Sequence, residues 1–206
     1  MILKAVCSNK ANFKVYKPRK ALMLYIALLH YPVYNKDGEV VTTAIVNMDI
    51  HDIARCSKTY DVKGFYIVNP ISAQRDLAKN IISHWRDGYG ANFNPPRKEA
   101  LKLVRLKENL EEVLMEIEGQ TGSVPKTIVT GANLKDRLLS FTELKKMLRN
   151  DDLPYLLIFG TGSGIAEELV NKADFRLEPI IGVKKYNNHL AVRSAAAIIL
   201  DRIMGN

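Results

Sequence analysis

The chain has 206 residues, with 30 Lys and Arg against 22 Asp and Glu and a formal net charge of +8. That length suits one well-buried domain and is too short for two full ones. The positive balance favours an anionic partner, RNA ahead of a membrane surface, because no basic amphipathic helix stands out. Cys7 and Cys56 are too far apart for a metal or redox motif. No apolar run is long enough to span a bilayer or serve as a secretory signal. A reduced cytoplasm, with no metal and no membrane attachment, is the expected setting.

Residues 1–20 carry Lys4, Lys10, Lys14, Lys17, Arg19 and Lys20 and no acid. This basic extension either tracks phosphates or is a solvated linker. Residues 21–206 read as a single domain. Leu22–Leu29 is the first buried strand, Asn35-Lys36-Asp37-Gly38 a turn, and Val40–Val46 a short apolar stretch. Asp49 is placed to cap a helix from Ile50 to Tyr60. On that helix His51 and Arg55 share a face, and Asp52 and Arg55 can form an ion pair. Gly64–Val68 reads as the second buried strand, and Ser72 as the cap of a helix to Trp85. From His84 to Lys98 glycines and prolines punctuate what reads as a long loop. It interleaves aromatics with Arg86, Arg97 and Lys98, the composition that stacks unpaired bases and holds phosphates, or that merely anchors a loop on the core.

Leu101–Leu106 follows as a strand, Leu110–Ile117 as an acidic-faced helix, and Lys126–Val129 as a central strand ending in the turn Thr130-Gly131-Ala132-Asn133. Phe141–Arg149 is a helix. Tyr155–Phe159 is apolar at every position, as a strand buried on both faces should be. Gly160-Thr161-Gly162-Ser163-Gly164 breaks it before a helical pattern from Ile165 to Val170. Leu177–Ile181 reads as a short strand, and a polar turn then leads to a last helix capped by Asn188 and ending at Met204. The alternation predicts an α/β fold with a mostly parallel sheet covered on both faces. Its carboxyl-end turns share the edge where such sheets bind ligands, so a nucleotide-like cofactor is expected there. A dinucleotide is one reading of the glycine turn, with Glu178 near the spacing of a ribose-binding acid. The turn comes late in the chain for that motif and lacks its third, close-packing glycine.

The Gly160–Gly164 turn after a buried strand, then Leu177-Glu178-Pro179-Ile180, then Asn187-Asn188-His189-Leu190-Ala191-Val192-Arg193-Ser194-Ala195, resemble the final motifs of the SPOUT superfamily of RNA methyltransferases. Upstream, Asn47 to Arg55 followed by Thr59 to Gly64 is similar to the first motif of its SpoU-like branch. The similarity covers about Leu22 to Gly205 and is strongest to a small bacterial subfamily of predicted RNA methyltransferases. The resemblance implies a C-terminal trefoil knot that holds S-adenosyl-L-methionine in three loops. It also implies a homodimer with sites built across two chains, and methyl transfer to a ribose oxygen or base nitrogen of tRNA or rRNA.

On the same resemblance, Thr130, Gly131 and Ala132 form the first cofactor loop and Gly160, Thr161, Gly162 and Gly164 the second. Ile180, Ile181 and Gly182 form the third. Asn188 and Leu190 close the pocket, and Ala195 keeps the last helix thin. Arg55 would hold a target phosphate or the reacting group. Because arginine is a poor proton acceptor, Asp52 and His51 are the candidate bases, with Asn188 beside them in the catalytic set. Arg86, Arg97, Lys98 and Arg193 join Arg55 as expected RNA contacts. The SpoU-like pattern expects a Glu where Thr161-Gly162-Ser163 stands and a polar residue at Ala191, which leaves ribose and base methylation equally open. The rival from another class is a non-catalytic RNA-binding protein of the same fold; a dinucleotide-dependent oxidoreductase is more distant.

Overall fold

Leu24–Leu29 (β1) and Tyr155–Gly160 (β8) are apolar at nearly every position and pair in parallel, residue for residue, at the centre of the molecule. The computed structural model describes residues 22–183 and 189–205. The basic extension, residues 1–20, and Asn188 lie outside them. A hairpin, Val33–Tyr34 (β2) and Val40–Val41 (β3), follows β1. Then come Asn47–Thr59 (α1), Gly64–Val68 (β4), Ser72–Arg86 (α2), Tyr89–Phe93 (α3), Pro95–Leu101 (α4), Val104–Lys107 (β5) and Leu110–Thr121 (α5). The second half holds Lys126–Val129 (β6), Leu138–Leu139 (β7), Phe141–Asn150 (α6), then β8, Glu167–Lys172 (α7), Phe175–Leu177 (β9) and Val192–Met204 (α8).

Seven strands form one sheet in the order β5-β4-β1-β8-β6-β9-β7, every pairing parallel. Alternate residues of the central strands serve two cores, as the period of a strand requires. Leu24, Ile26, Leu28, Tyr155, Leu157 and Phe159 pack with α1, α2, α4, α6 and α8. Tyr25, Ala27, Leu29, Leu156 and Ile158 pack on the other face against α5 and α7. The α/β expectation is met. Both β8 and β9 enter the sheet between strands that precede them in the chain, β8 between β1 and β6 and β9 between β6 and β7.

Several boundaries differ from the sequence reading, each for a local reason. The stretch from His84 to Lys98 is not a loop but contains α3 and the start of α4. Asn94-Pro95-Pro96, which reads as punctuation, starts α4: proline is tolerated in the first turn, where the N–H has no intrahelical partner, and the Asn94 side chain accepts from Arg97 N at 3.1 Å. Asp49 is not the cap of α1 but lies inside its first turn, after Val46 at the cap. The last strand is Phe175–Leu177, short of the expected Leu177–Ile181, because Pro179 has no N–H to extend the ladder. The last helix begins at Val192 with Ala191 at its cap, three residues after the expected cap Asn188.

Candidate active site

The carboxyl ends of β6, β8 and β9 open onto one crevice of about 1300 Å³. Its floor is the glycine turn after β8, clamped by the β2–β3 hairpin. Ser163 N–H donates to Tyr34 O at 2.7 Å, Thr161 N–H to Leu29 O at 3.2 Å and Gly164 N–H to Thr161 O at 3.2 Å, while Tyr34 N–H donates to Gly164 O at 2.8 Å. Gly162 holds φ at +60°, and a Cβ there would sit 2.5 Å from Tyr34 O. Backbone approach therefore requires glycine at this position.

A half-buried polar relay, running from the crevice wall to buried His30, braces the same turn. The Thr161 hydroxyl meets the Thr43 hydroxyl, and Thr43 Oγ1 lies 2.9 Å from His30 Nδ1. His30 is fully buried and its Nε2 has no partner. Burial pushes its pKa down to about 4, so the ring is neutral at physiological pH.

These bonds decide between ligand classes. A dinucleotide site offers free backbone N–H groups to a pyrophosphate at a helix N-terminus. Here the N–H groups of Thr161, Ser163 and Gly164 are spent on protein carbonyls. The helix that follows, α7, opens with Glu167 and Glu168, which disfavour an anion at that end. The crevice suits a nucleoside ligand without a phosphate chain.

Of the residues expected at the cofactor, Thr130, Gly131, Ala132, Gly160, Thr161, Gly162, Gly164, Ile180, Leu190 and Ala195 line this crevice. Ile181 and Gly182 are exposed beside it and do not line it. Thr130 is held by two bonds to Ile158 O, from its N–H at 2.9 Å and its hydroxyl at 3.1 Å. Glu178 lines the crevice and accepts Phe141 N–H at 2.7 Å, tying the end of β9 to the start of α6.

The charged candidates divide. Arg193 lines the crevice and donates to the buried Asp49 carboxylate at 3.2 Å. Burial pushes the Asp49 carboxyl up in pKa, and the Arg193 guanidinium opposes that shift. Arg193 also approaches Asp52 at 3.7 Å, and Asp52 approaches Arg55 at 3.7 Å, so alternating charges run from the crevice out along α1. Neither Asp52 nor Arg55 lines the crevice. His51 turns toward Trp85, edge to face at 5.5 Å, and burial with the nearby Arg97 cation lowers its pKa.

Arg97 lies over the Trp85 ring at 4.4 Å. With Arg55, Lys58, Thr59, Asn94 and Pro96 it lines a second cavity of about 270 Å³. Arg86 is paired with Asp87 at 2.9 Å, and Lys98 lines neither cavity.

Asp49 and Thr43 are the site residues the sequence reading missed. Asp49 meets Arg193 across 144 positions and Thr43 meets Thr161 across 118, separations at which local spacing carries no signal. Among the described residues no cluster of His, Cys, Asp and Glu is placed to hold a metal ion, and no helix is long and apolar enough to cross a membrane.

From residue 23 to 205 the sequence matches the family described as SAM-dependent RNA methyltransferase. The chain belongs to that family. The cofactor of these SAM-dependent RNA methyltransferases is S-adenosyl-L-methionine, the one expected from the motifs, and the resemblance to RNA methyltransferases is upheld. A tRNA (guanine-N(1)-)-methyltransferase of Oleidesulfovibrio alaskensis is 44% identical over 193 residues, covering 94% of this chain and 44% of that protein. The chain thus spans less than half of that relative. An uncharacterized protein of Aquifex aeolicus is 42% identical over 180 residues, covering 87% of each. The solved TrmH/SpoU tRNA modifying enzyme of A. aeolicus shares the fold, with a TM-score of 0.50 and 17% identity over 90% of this chain and 75% of that one.

Proposed function

We propose that the crevice binds S-adenosyl-L-methionine and that the chain directs its methyl group onto RNA. The observation that carries this reading is the crevice itself: three strand-end turns surround it and the glycine turn has its N–H groups turned inward. Small-molecule pockets run to about 300–1,000 Å³, so about 1300 Å³ leaves room for part of a target nucleotide beside a cofactor. The residues fit the cofactor. Thr130, Gly131 and Ala132 would hold the adenosine against the Gly160–Gly164 turn, with Ile180, Leu190 and Ala195 closing over it. Bound there, S-adenosyl-L-methionine supplies an electrophilic methyl carbon on a sulfonium. Positioning is then the chain's main task, because the acceptor atom must lie in line with the bond being broken.

Arg193, fixed by Asp49, would meet the incoming RNA at the rim. Arg55, Asp52 and His51 stand off this chain's own crevice and would act on the crevice of a second copy, Arg55 on the target and Asp52 or His51 as proton acceptor. Support for such a dimer comes from the exposed apolar side chains of Val46, Met48 and Leu190 around the crevice mouth and the start of α1. The late entry of β8 and β9 between earlier strands supports the trefoil knot. The 44% identical relative makes tRNA the first substrate to test and guanine N1 one candidate atom; the cytoplasm is the proposed compartment.

Calorimetry tests the cofactor: S-adenosyl-L-methionine or its demethylated product should bind, and nicotinamide dinucleotides should not. Labelled methyl transfer to unmodified tRNA should fall by roughly a hundredfold in Arg55→Ala, the scale of a misplaced reactant, with cofactor affinity kept. The greater length of that relative favours a second reading. In it the named activity belongs to the part beyond this chain, and this chain binds RNA without transferring methyl. Cofactor binding with no transfer to any RNA pool would decide for that reading.

A further inference from the structure

Tyr89 and Phe93 are 76% and 71% exposed, yet their rings stack on each other, 22° from parallel with centroids 6.2 Å apart. Single exposed apolar side chains need no explanation; a stacked and uncovered pair beside a cationic pocket does. The pair is firmly mounted. Gly90 sits so close to Trp85 that a Cβ would fall 2.6 Å from the indole. Trp85 itself has Arg97 over its ring and His51 and His84 at T-shaped contacts of 5.5 and 5.3 Å. Phe93 precedes Asn94, which caps α4 and lines the 270 Å³ cavity with Arg55, Lys58 and Arg97. Among the described residues no carboxylate lies within ion-pair distance of Lys58 or Arg97, and Arg97 Nε is buried with no partner. The neighbouring Glu99 is committed to Lys102 at 2.7 Å.

We propose that the Tyr89–Phe93 pair and the pocket of Arg55, Lys58 and Arg97 together dock one unpaired RNA nucleotide, its base stacked on the rings and its phosphate in the pocket. Aromatic faces combined with cations are how proteins hold single strands, and in a duplex the base faces are covered by their neighbours. The site therefore selects single-stranded or looped RNA over a continuous helix. Arg55 has Asp52 3.7 Å away, but Lys58 and Arg97 leave the pocket with an excess of positive charge. Charge complementarity therefore calls for an anion, and a neutral or basic protein face fits less well. The inference deepens the RNA reading above and rests on it.

The test uses the full chain and a short single-stranded RNA carrying one fluorescent purine, alone and annealed to its complement. Tyr89→Leu with Phe93→Leu keeps apolar area at two exposed positions and removes the aromatic faces. We expect single-strand affinity to fall about tenfold or more, while duplex affinity and calorimetric binding of S-adenosyl-L-methionine stay unchanged. Lys58→Ala should weaken single-strand binding and lower its salt slope by about 0.7. Unchanged single-strand affinity in the leucine variant, with the parent chain binding RNA, overturns this site and leaves the RNA reading standing. A dimer-to-monomer shift of the leucine variant in sedimentation also overturns it, because a second copy then covers the rings. A parent chain that binds S-adenosyl-L-methionine but no RNA overturns both.

Discussion

Gly162 and His30 show how single residues set the shape of the crevice floor. Gly162→Ala would put a Cβ 2.5 Å from Tyr34 O in a backbone at φ +60°. The left-handed conformation costs about 1 kcal/mol for a non-glycine residue and the contact adds to it. We expect thermal denaturation to show a loss of about 2 kcal/mol or more, and calorimetry to show weaker cofactor binding. His30 gives the fold a pH dependence. Its folded pKa, about 4, lies below its unfolded value, so the unfolded chain binds the extra proton between the two. Stability is full above about pH 6.5 and falls as pH drops toward 4, by on the order of 3 kcal/mol across that window. The lowered pKa of His51 acts in the same direction. Urea titrations at several pH values should show a shallower pH slope in His30→Gln than in the parent chain.

At the scale of elements, the contact to break is the one between α1 and α8. Arg193→Ala leaves the buried Asp49 carboxylate without its partner, and an unsatisfied buried charge costs about 2 kcal/mol or more. Asp49→Asn in the same chain should recover part of that loss, a coupling that a double-mutant cycle in denaturant would measure. Neither partner announces the other in the sequence. The strands were legible because both faces of β1 and β8 are buried, which writes an unbroken apolar run, and β4 and β6 fall where their patterns place them. The glycine turn was legible because it interrupts such a run. What could not be read was anything set by partners far along the chain. α3 and α4 hide behind proline and glycine, and the two-residue strand Leu138–Leu139 exists only through pairing with β9.

For the whole molecule, binding and stability are linked. A ligand at about a hundred times its Kd adds about 2.7 kcal/mol, which in a chain of this size shifts the midpoint by roughly 2–4 °C per kcal/mol. Saturating S-adenosyl-L-methionine should therefore raise the Tm by several degrees, and NAD should leave it unchanged; differential scanning calorimetry separates the two.

The strand order carries a further consequence. Because β1 and β6 are joined only through β8, and β6 and β7 only through β9, a nascent chain that stops near residue 150 holds a sheet with two empty slots. Residues 155–177 must be made before the middle of the sheet can close. The later strands are the wedges that lock the earlier ones, so the molecule acquires its ligand crevice and its solidity in one event. Deleting everything after Asp152 should leave a fragment with no cooperative melting transition.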